Sequence, residues 1–154
     1  MKKISLVLLL IISLCFLTSC EKVKETADAY EFIDLLYQVQ CGEIERGVVI
    51  DVRPLDDGSN LDYESGHVLG SLNYQPNSKN KDQFIEWIKS IKVVETEVFV
   101  YDNGNLEYQE IVPYLKEAGY KKITVFTVGY KNLKAYGDFL LKIEEATGVD
   151  DCGC

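Results

Sequence analysis

The residues of this chain whose types and spacing could do chemistry fall into three groups. Asp51 and Arg53 stand at the end of a β-branched run, with Glu64 and His67 a loop further on. Carboxylates, a guanidinium and an imidazole so placed can form a hydrogen-bonded polar cluster that locks the loop onto the strand, and Gly66 and Gly70 allow the tight backbone path this requires. His67 could instead serve as a general base near neutral pH. The second group is the polar stretch Asp102-Asn103-Gly104-Asn105-Leu106-Glu107, which interrupts an apolar pattern directly after a strand-like run. The third is the thiols: Cys41 and the pair Cys152-Gly153-Cys154, apart from Cys20 near the start. His67 is the single histidine, so a site that needs two imidazoles is excluded, and no residue pattern calls for a metal or a cofactor.

The elements that must position these groups follow from apolar periodicity. Ala29, Phe32, Ile33, Leu36 and Tyr37 share one helical face, with Thr26 or Asp28 as N-cap and Gly42 beyond the end. Val48-Val49-Ile50-Asp51-Val52, between Gly47 and Pro54, reads as a buried strand. Arg53 to Gly66 is rich in Asp, Gly, Ser and Asn and reads as a loop, with a brief extended piece from Ser71 to Tyr74. Phe84, Trp87, Ile88 and Ile91 give a second helix, Glu97 to Tyr101 a second strong strand, and Val112, Leu115 and Ala118 a third helix that stops at Gly119. Pro113 should make that third helix start late or kink. Ile123-Thr124-Val125-Phe126 is a strand, and Leu133, Tyr136, Leu140 and Ile143 line a last helix. Strands alternating with helices predict an α/β domain with a mainly parallel central sheet covered by helices on both faces. Ligands in such sheets sit outside the carboxyl ends of the strands, which points to the loops that begin at Arg53 and Asp102.

The first residues belong to no fold. Lys2 and Lys3 precede an almost wholly apolar run from Ile4 to Leu17, closed by Leu17-Thr18-Ser19-Cys20 and followed by charges. That order reads as a signal peptide, and the LTSC ending resembles the lipobox of bacterial lipoproteins. The resemblance implies that residues 1–19 are removed and that Cys20 is acylated, holding an exported chain to membrane lipid at the cell envelope. Residues 20–27 would then be a short tether, 28–146 the folded domain and 147–154 a tail bearing Cys152 and Cys154. Losing Lys2 and Lys3 leaves fourteen basic residues against twenty-five acidic ones, a net charge of -11. So acidic a surface repels nucleic acid and disfavours anionic substrates.

Two patches resemble the rhodanese family. Asp51-Val52-Arg53, followed by Glu64-Ser65-Gly66-His67-Val68-Leu69-Gly70-Ser71-Leu72-Asn73, is similar to its DVR and E-x-G-H-I-x-G-A-x-N signature. Val98-Phe99-Val100-Tyr101, leading into a polar loop and a helix ending at Gly119-Tyr120, stands where the family has its active-site loop. The resemblance implies a rhodanese-like sheet and a structural polar cluster of Asp51, Arg53, Glu64 and His67, with the histidine bracing the loop. It also implies that the loop Asp102, Asn103, Gly104, Asn105, Leu106 and Glu107 is the backbone N–H cradle whose first position holds the family's persulfide-carrying cysteine. Here that position is Asp102, and an acid, Glu107, stands where an arginine often helps to bind the donor.

A carboxylate cannot carry a persulfide, and two acids repel thiosulfate or phosphate, so no catalytic residue is expected here. An aspartyl-phosphate mechanism at Asp102 lacks the second acid two residues on. The expected role is a binding module at the envelope, for a protein or small-molecule ligand the sequence does not name. The competing reading is thiol-redox or sulfur-handling chemistry by the Cys152/Cys154 tail, whose C-x-C spacing closes a strained, reactive disulfide. A bridge from Cys41 to one tail cysteine is a third use of the same thiols.

Overall fold

Each strand of the central sheet alternates two kinds of side chain, and that alternation builds two separate cores. The computed structural model describes residues 22–45, 47–75, 81–91, 95–137 and 143–144. Its strands are β1 (Lys22–Thr26), β2 (Gly47–Asp51), β3 (His67–Val68), β4 (Leu72–Asn73), β5 (Glu97–Tyr101), β6 (Lys122–Phe126) and β7 (Ile143–Glu144). The helices are α1 (Ala29–Gln40), α2 (Lys81–Ile91), α3 (Tyr108–Glu117) and α4 (Tyr130–Gly137). Five strands form one sheet in the order β1-β6-β5-β2-β4, every pair parallel. Val48, Ile50, Val98, Val100, Ile123 and Val125 point to one face, where Phe84 and Ile88 of α2 and Ile111 and Leu115 of α3 cover them. Val49, Phe99, Tyr101 and Phe126 point to the other, against Phe32, Ile33 and Leu36 of α1 and Leu133 of α4. Burying one such side chain contributes roughly 1.5 to 3 kcal/mol, so both faces are strongly specified. The predicted fold class, a mainly parallel α/β sheet with helices on both faces, is the one observed.

Local signals explain the boundaries. Asp28 rather than Thr26 caps α1, its Oδ1 accepting from the amides of Tyr30 and Glu31 at 2.9 and 3.2 Å. Thr26 is used differently, donating to the Glu31 carboxylate at 2.6 Å. Cys41 closes the helix and Gly42 follows at φ 77°, the left-handed position that glycine takes at least cost.

Three boundaries depart from the periodicity reading. Lys22–Thr26, expected as tether, is an edge strand in full register with β6, from Lys22 opposite Lys122 to Thr26 opposite Phe126. Its charged sequence hides a strand because Val23 is its one apolar side chain packed on the core and backbone pairing does much of the rest. The last helix ends at Gly137, and Ile143, expected on its face, is instead paired antiparallel with Val68 in a separate two-stranded sheet. The third helix begins at Tyr108, directly after the loop, with Pro113 inside it. Pro113 has no amide to give to the carbonyl four residues back, so the helix tolerates one missing bond in its middle.

Candidate functional site

The site is built at the carboxyl ends of β2 and β5. Asp51, last residue of β2, and Arg53, two residues on, are both fully buried. The Asp51 carboxylate accepts from Arg53 Nε at 3.0 Å and Nη2 at 2.6 Å, and its Oδ1 also accepts from the Arg53 amide at 2.9 Å. Arg53 Nη1 donates to the carbonyls of Leu61 and Asp62 at 2.9 and 3.0 Å, and Nη2 to that of Gly66 at 2.7 Å. A guanidinium has five N–H donors, and these contacts use them all. The cation also lies 3.6 Å from the centre of the Tyr130 ring and 5.6 Å from that of Tyr101. One buried arginine therefore hangs the whole loop after β2 on the sheet.

The expected four-membered cluster is thus a pair plus backbone. Glu64 is exposed, and with every Arg53 donor already spent, no guanidinium N–H is left for it or for His67. The imidazole stacks on Tyr63, ring centres 3.8 Å apart, and its Nδ1 lies 3.0 Å from the Tyr63 carbonyl. Tyr63 in turn donates from its hydroxyl to the Ser71 carbonyl at 2.8 Å, which ties this segment to the turn before β4.

Asp102 follows β5 directly and is fully buried. Its Oδ1 accepts from the Gly104 amide at 2.5 Å, while its backbone carbonyl accepts from Tyr130 at 2.7 Å. Burial raises the Asp102 pKa above the ordinary carboxylate value, and the amides of Gly104, Tyr108, Glu107 and Leu106, which face the carboxylate, oppose that rise. Oδ2 stays buried without a hydrogen-bonding partner. The Glu107 pKa is likewise raised by burial, with Asn105 opposing and the charges of Asp102, Asp51 and Glu110 adding to it. Buried Asn103 Oδ1 and Glu107 Oε2 also lack partners, so three acceptors in one short loop have no donor. Gly104 at φ 86° and Leu106 at φ 69° supply the left-handed turns that fold the loop back toward α3.

Chemically, this arrangement opposes an anion: the loop offers two acids and three buried acceptors without a donor. Among the described residues no cluster of His, Cys, Asp or Glu could hold a metal ion. Cys41 is the one cysteine among them, exposed at the opposite end of the sheet, where it lines a cavity of about 470 Å³ with Val48, Leu69, Leu72 and Ile91. Cys20, Cys152 and Cys154 lie outside the described residues. Sequence reasoning did not find Tyr130 as the floor under Arg53, nor Gly129, whose Cα side abuts the Asn103 carbonyl. The Gly129-Tyr130 pair sits after β6 on the same sheet edge, and that topological adjacency was the available signal.

A five-stranded parallel sheet of this order, with a strand-end Asp-x-Arg holding one loop and a polar loop heading a helix beside it, defines a rhodanese-like α/β domain. The chain belongs to this family: the model of the rhodanese-like domain matches residues 33–136, well over half the chain. A rhodanese-like domain from Anabaena sp. superposes with a TM-score of 0.53 at 20% identity, covering 89% of this chain and 92% of that one. An As-Sb reductase from Leishmania major gives 0.57 at 18% identity, covering 79% and 92%. A thiosulfate sulfurtransferase from Pseudomonas aeruginosa gives 0.53 at 16% identity, covering 80% of this chain and 20% of that one. At such identities the likeness establishes the fold. No curated protein matches the chain significantly.

Proposed function

We propose that the chain is a lipid-anchored rhodanese-like domain of the cell envelope that does not perform cysteine-dependent sulfur transfer and acts as a binding module. The observation that carries this reading is Asp102: a fully buried carboxylate heads the loop after β5 and takes the Gly104 amide to itself. A persulfide needs a thiolate at the focus of such a loop, and an anionic donor needs a cation beside it. The loop offers Asp102 and Glu107. Purified, detergent-extracted protein should transfer no sulfur from thiosulfate to cyanide above a cysteine-free control. Robust transfer that survives Cys41→Ser, Cys152→Ser and Cys154→Ser together would overturn the reading.

The anchor rests on the basic-then-apolar segment ending Leu17-Thr18-Ser19-Cys20. Among the described residues no helix is long and apolar enough to cross a membrane. The native protein should partition into detergent and carry acyl chains on Cys20, and Cys20→Ala should release it or leave it uncleaved. Unacylated native protein free in the medium removes the anchor from the proposal.

One observation favours thiol chemistry as a second reading. β3 leads from Gly66, at the Arg53 end of the sheet, and Glu144 pairs antiparallel with His67 beside it, as Ile143 does with Val68. Cys152 is eight residues after Glu144, within about 26 Å at full extension. Reduction of a small disulfide that is lost in both Cys152→Ser and Cys154→Ser, but kept in Cys41→Ser, would establish it.

A further inference from the structure

Four strands that lie side by side, β1, β6, β5 and β2, each run at the same edge into a segment with one exposed apolar side chain. These are Tyr30 at 66% exposure, Val128 at 39%, Leu106 at 47% and Leu55 at 47%. Among the described residues the other large exposed apolar side chain is Tyr37, which lines the cavity at the opposite end. Single exposed apolar residues are ordinary, but a row of them across adjacent strand ends is not.

Two members of the row share a cleft, and the Leu106 loop packs beside it. Tyr30 and Val128 wall one cleft of about 300 Å³, with buried Phe126 and exposed Asp28 and Asn132 among its other lining residues. Gly104, two residues before Leu106, packs so closely on the Val128 carbonyl that a Cβ there would lie 3.2 Å from it. Leu106 holds its exposed side chain at φ 69°, a conformation that costs a non-glycine residue roughly 1 to 2 kcal/mol. Its backbone shapes the loop, while about half of its side chain is left to solvent.

The apolar row is interleaved with acids. Asp28 lines the cleft, Asp56 and Asp57 are exposed beside Leu55, and Glu107, with its unpartnered Oε2, and exposed Glu110 follow Leu106. The exposed cations beside it among the described residues include Lys131, just after Tyr130, and Lys24, which is paired with Glu31 next to Tyr30. Complementarity to such a face calls for apolar groups beside positive charge.

We infer that this face docks a polypeptide segment in which apolar side chains stand beside lysine or arginine, one apolar side chain entering the cleft between Tyr30 and Val128. The inference rests on the reading of the domain as a binding module and names the chemistry of what it binds. The test uses the full chain held in phosphatidylcholine nanodiscs and a fluorescent peptide of alternating leucine and lysine, with leucine–glutamate and serine–lysine peptides as comparisons. The leucine–lysine peptide should bind, more weakly as salt rises. Leu106→Ser combined with Val128→Ser should weaken it about tenfold or more, while Tyr37→Ser leaves it unchanged. Absence of binding, equal binding of either comparison peptide, or indifference to the double substitution overturns the inference. Co-flotation of the nanodisc-held protein with added phosphatidylcholine vesicles also overturns it, because the face would then be a lipid contact. Sulfur transfer by a protein that still binds the peptide would sink the module reading alone. No transfer and no peptide binding would sink this inference alone.

Discussion

Arg53 and Asp51 form an ion pair in which both side chains are wholly buried, Nη2 lying 2.6 Å from Oδ2. Two charges cannot be taken out of water cheaply, so the pair persists only because its remaining hydrogen-bonding capacity is filled. Here the filling partners are the carbonyls of Leu61, Asp62 and Gly66 and the Arg53 amide. The pair thus converts a polar loop, which has little apolar surface of its own to bury, into part of the sheet.

Arg53→Met should cost roughly 3 to 5 kcal/mol, since it leaves Asp51 buried and unpaired. Arg53→Lys should also be strongly destabilising, because an ammonium cannot reproduce the planar fork that reaches one carboxylate and three carbonyls. Replacing both Asp51 and Arg53 by leucine should cost less than the sum of the single changes. Urea unfolding of the wild type, Asp51→Leu, Arg53→Leu and the double variant measures this, and additive effects would mean that the pair is not coupled.

How far the sequence led can be judged at these same residues. Asp51 and Arg53 were legible because a strand-end acid and base have few places to go. The partners that complete the Arg53 site were not legible, because they are backbone carbonyls, which carry no residue identity. The buried strands, Val48–Asp51 and Glu97–Tyr101, announced themselves as β-branched and aromatic runs, whereas β1 did not, since as an edge strand it is held chiefly by pairing to β6. Asp102 was found as the head of the loop, but its unpartnered Oδ2 depends on three-dimensional closure and leaves no trace in residue order.

Burial holds the carboxyl pKa values of Asp102 and Glu107 above their ordinary level. A group that binds its proton more tightly when folded contributes stability below its unfolded pKa, and that contribution is lost as pH rises through the folded value. Asp62 works in the opposite sense: its hydrogen bonds with Ser65 lower its pKa, so its contribution is lost on acidification. The Asp102 effect is therefore read as a difference. Asp102→Asn keeps an oxygen for the Gly104 amide and removes one titrating group, so its stability relative to wild type should improve between about pH 4.5 and about pH 8. Urea midpoints at both pH values check this, and a constant difference would show that Asp102 does not titrate with a raised pKa.

Installing the missing thiol tests the electrostatics of the loop. Asp102→Cys alone should yield little thiosulfate-to-cyanide transfer, because Glu107 still repels the dianionic donor and disfavours the thiolate. Asp102→Cys with Glu107→Arg should yield measurably more. Equal activity in the two variants would mean that Glu107 does not control the loop.

The shape of the loop depends on a residue outside it. Gly129 has φ 92°, and a Cβ added there would lie 2.5 Å from the Asn103 carbonyl oxygen, 2.6 Å from its carbon and 2.8 Å from the Gly104 nitrogen. All three are backbone atoms, which cannot swing aside as a side chain would. Relief requires the Asn103–Gly104 peptide to move, and that peptide supplies the N–H that Asp102 accepts at 2.5 Å. Gly129→Ala should therefore cost about 2 to 4 kcal/mol, combining left-handed strain with a displaced main chain. Gly42→Ala is the internal comparison: its φ of 77° is similar, but nothing lies within 4 Å of the added atom, so only the conformational cost of about 1 kcal/mol applies. The Gly104 amide resonance reports on the site itself and should shift in Gly129→Ala while staying in place in Gly42→Ala. Equal destabilisation by the two substitutions, with the Gly104 resonance unmoved in both, would show that Gly129 does not hold the loop against Asp102.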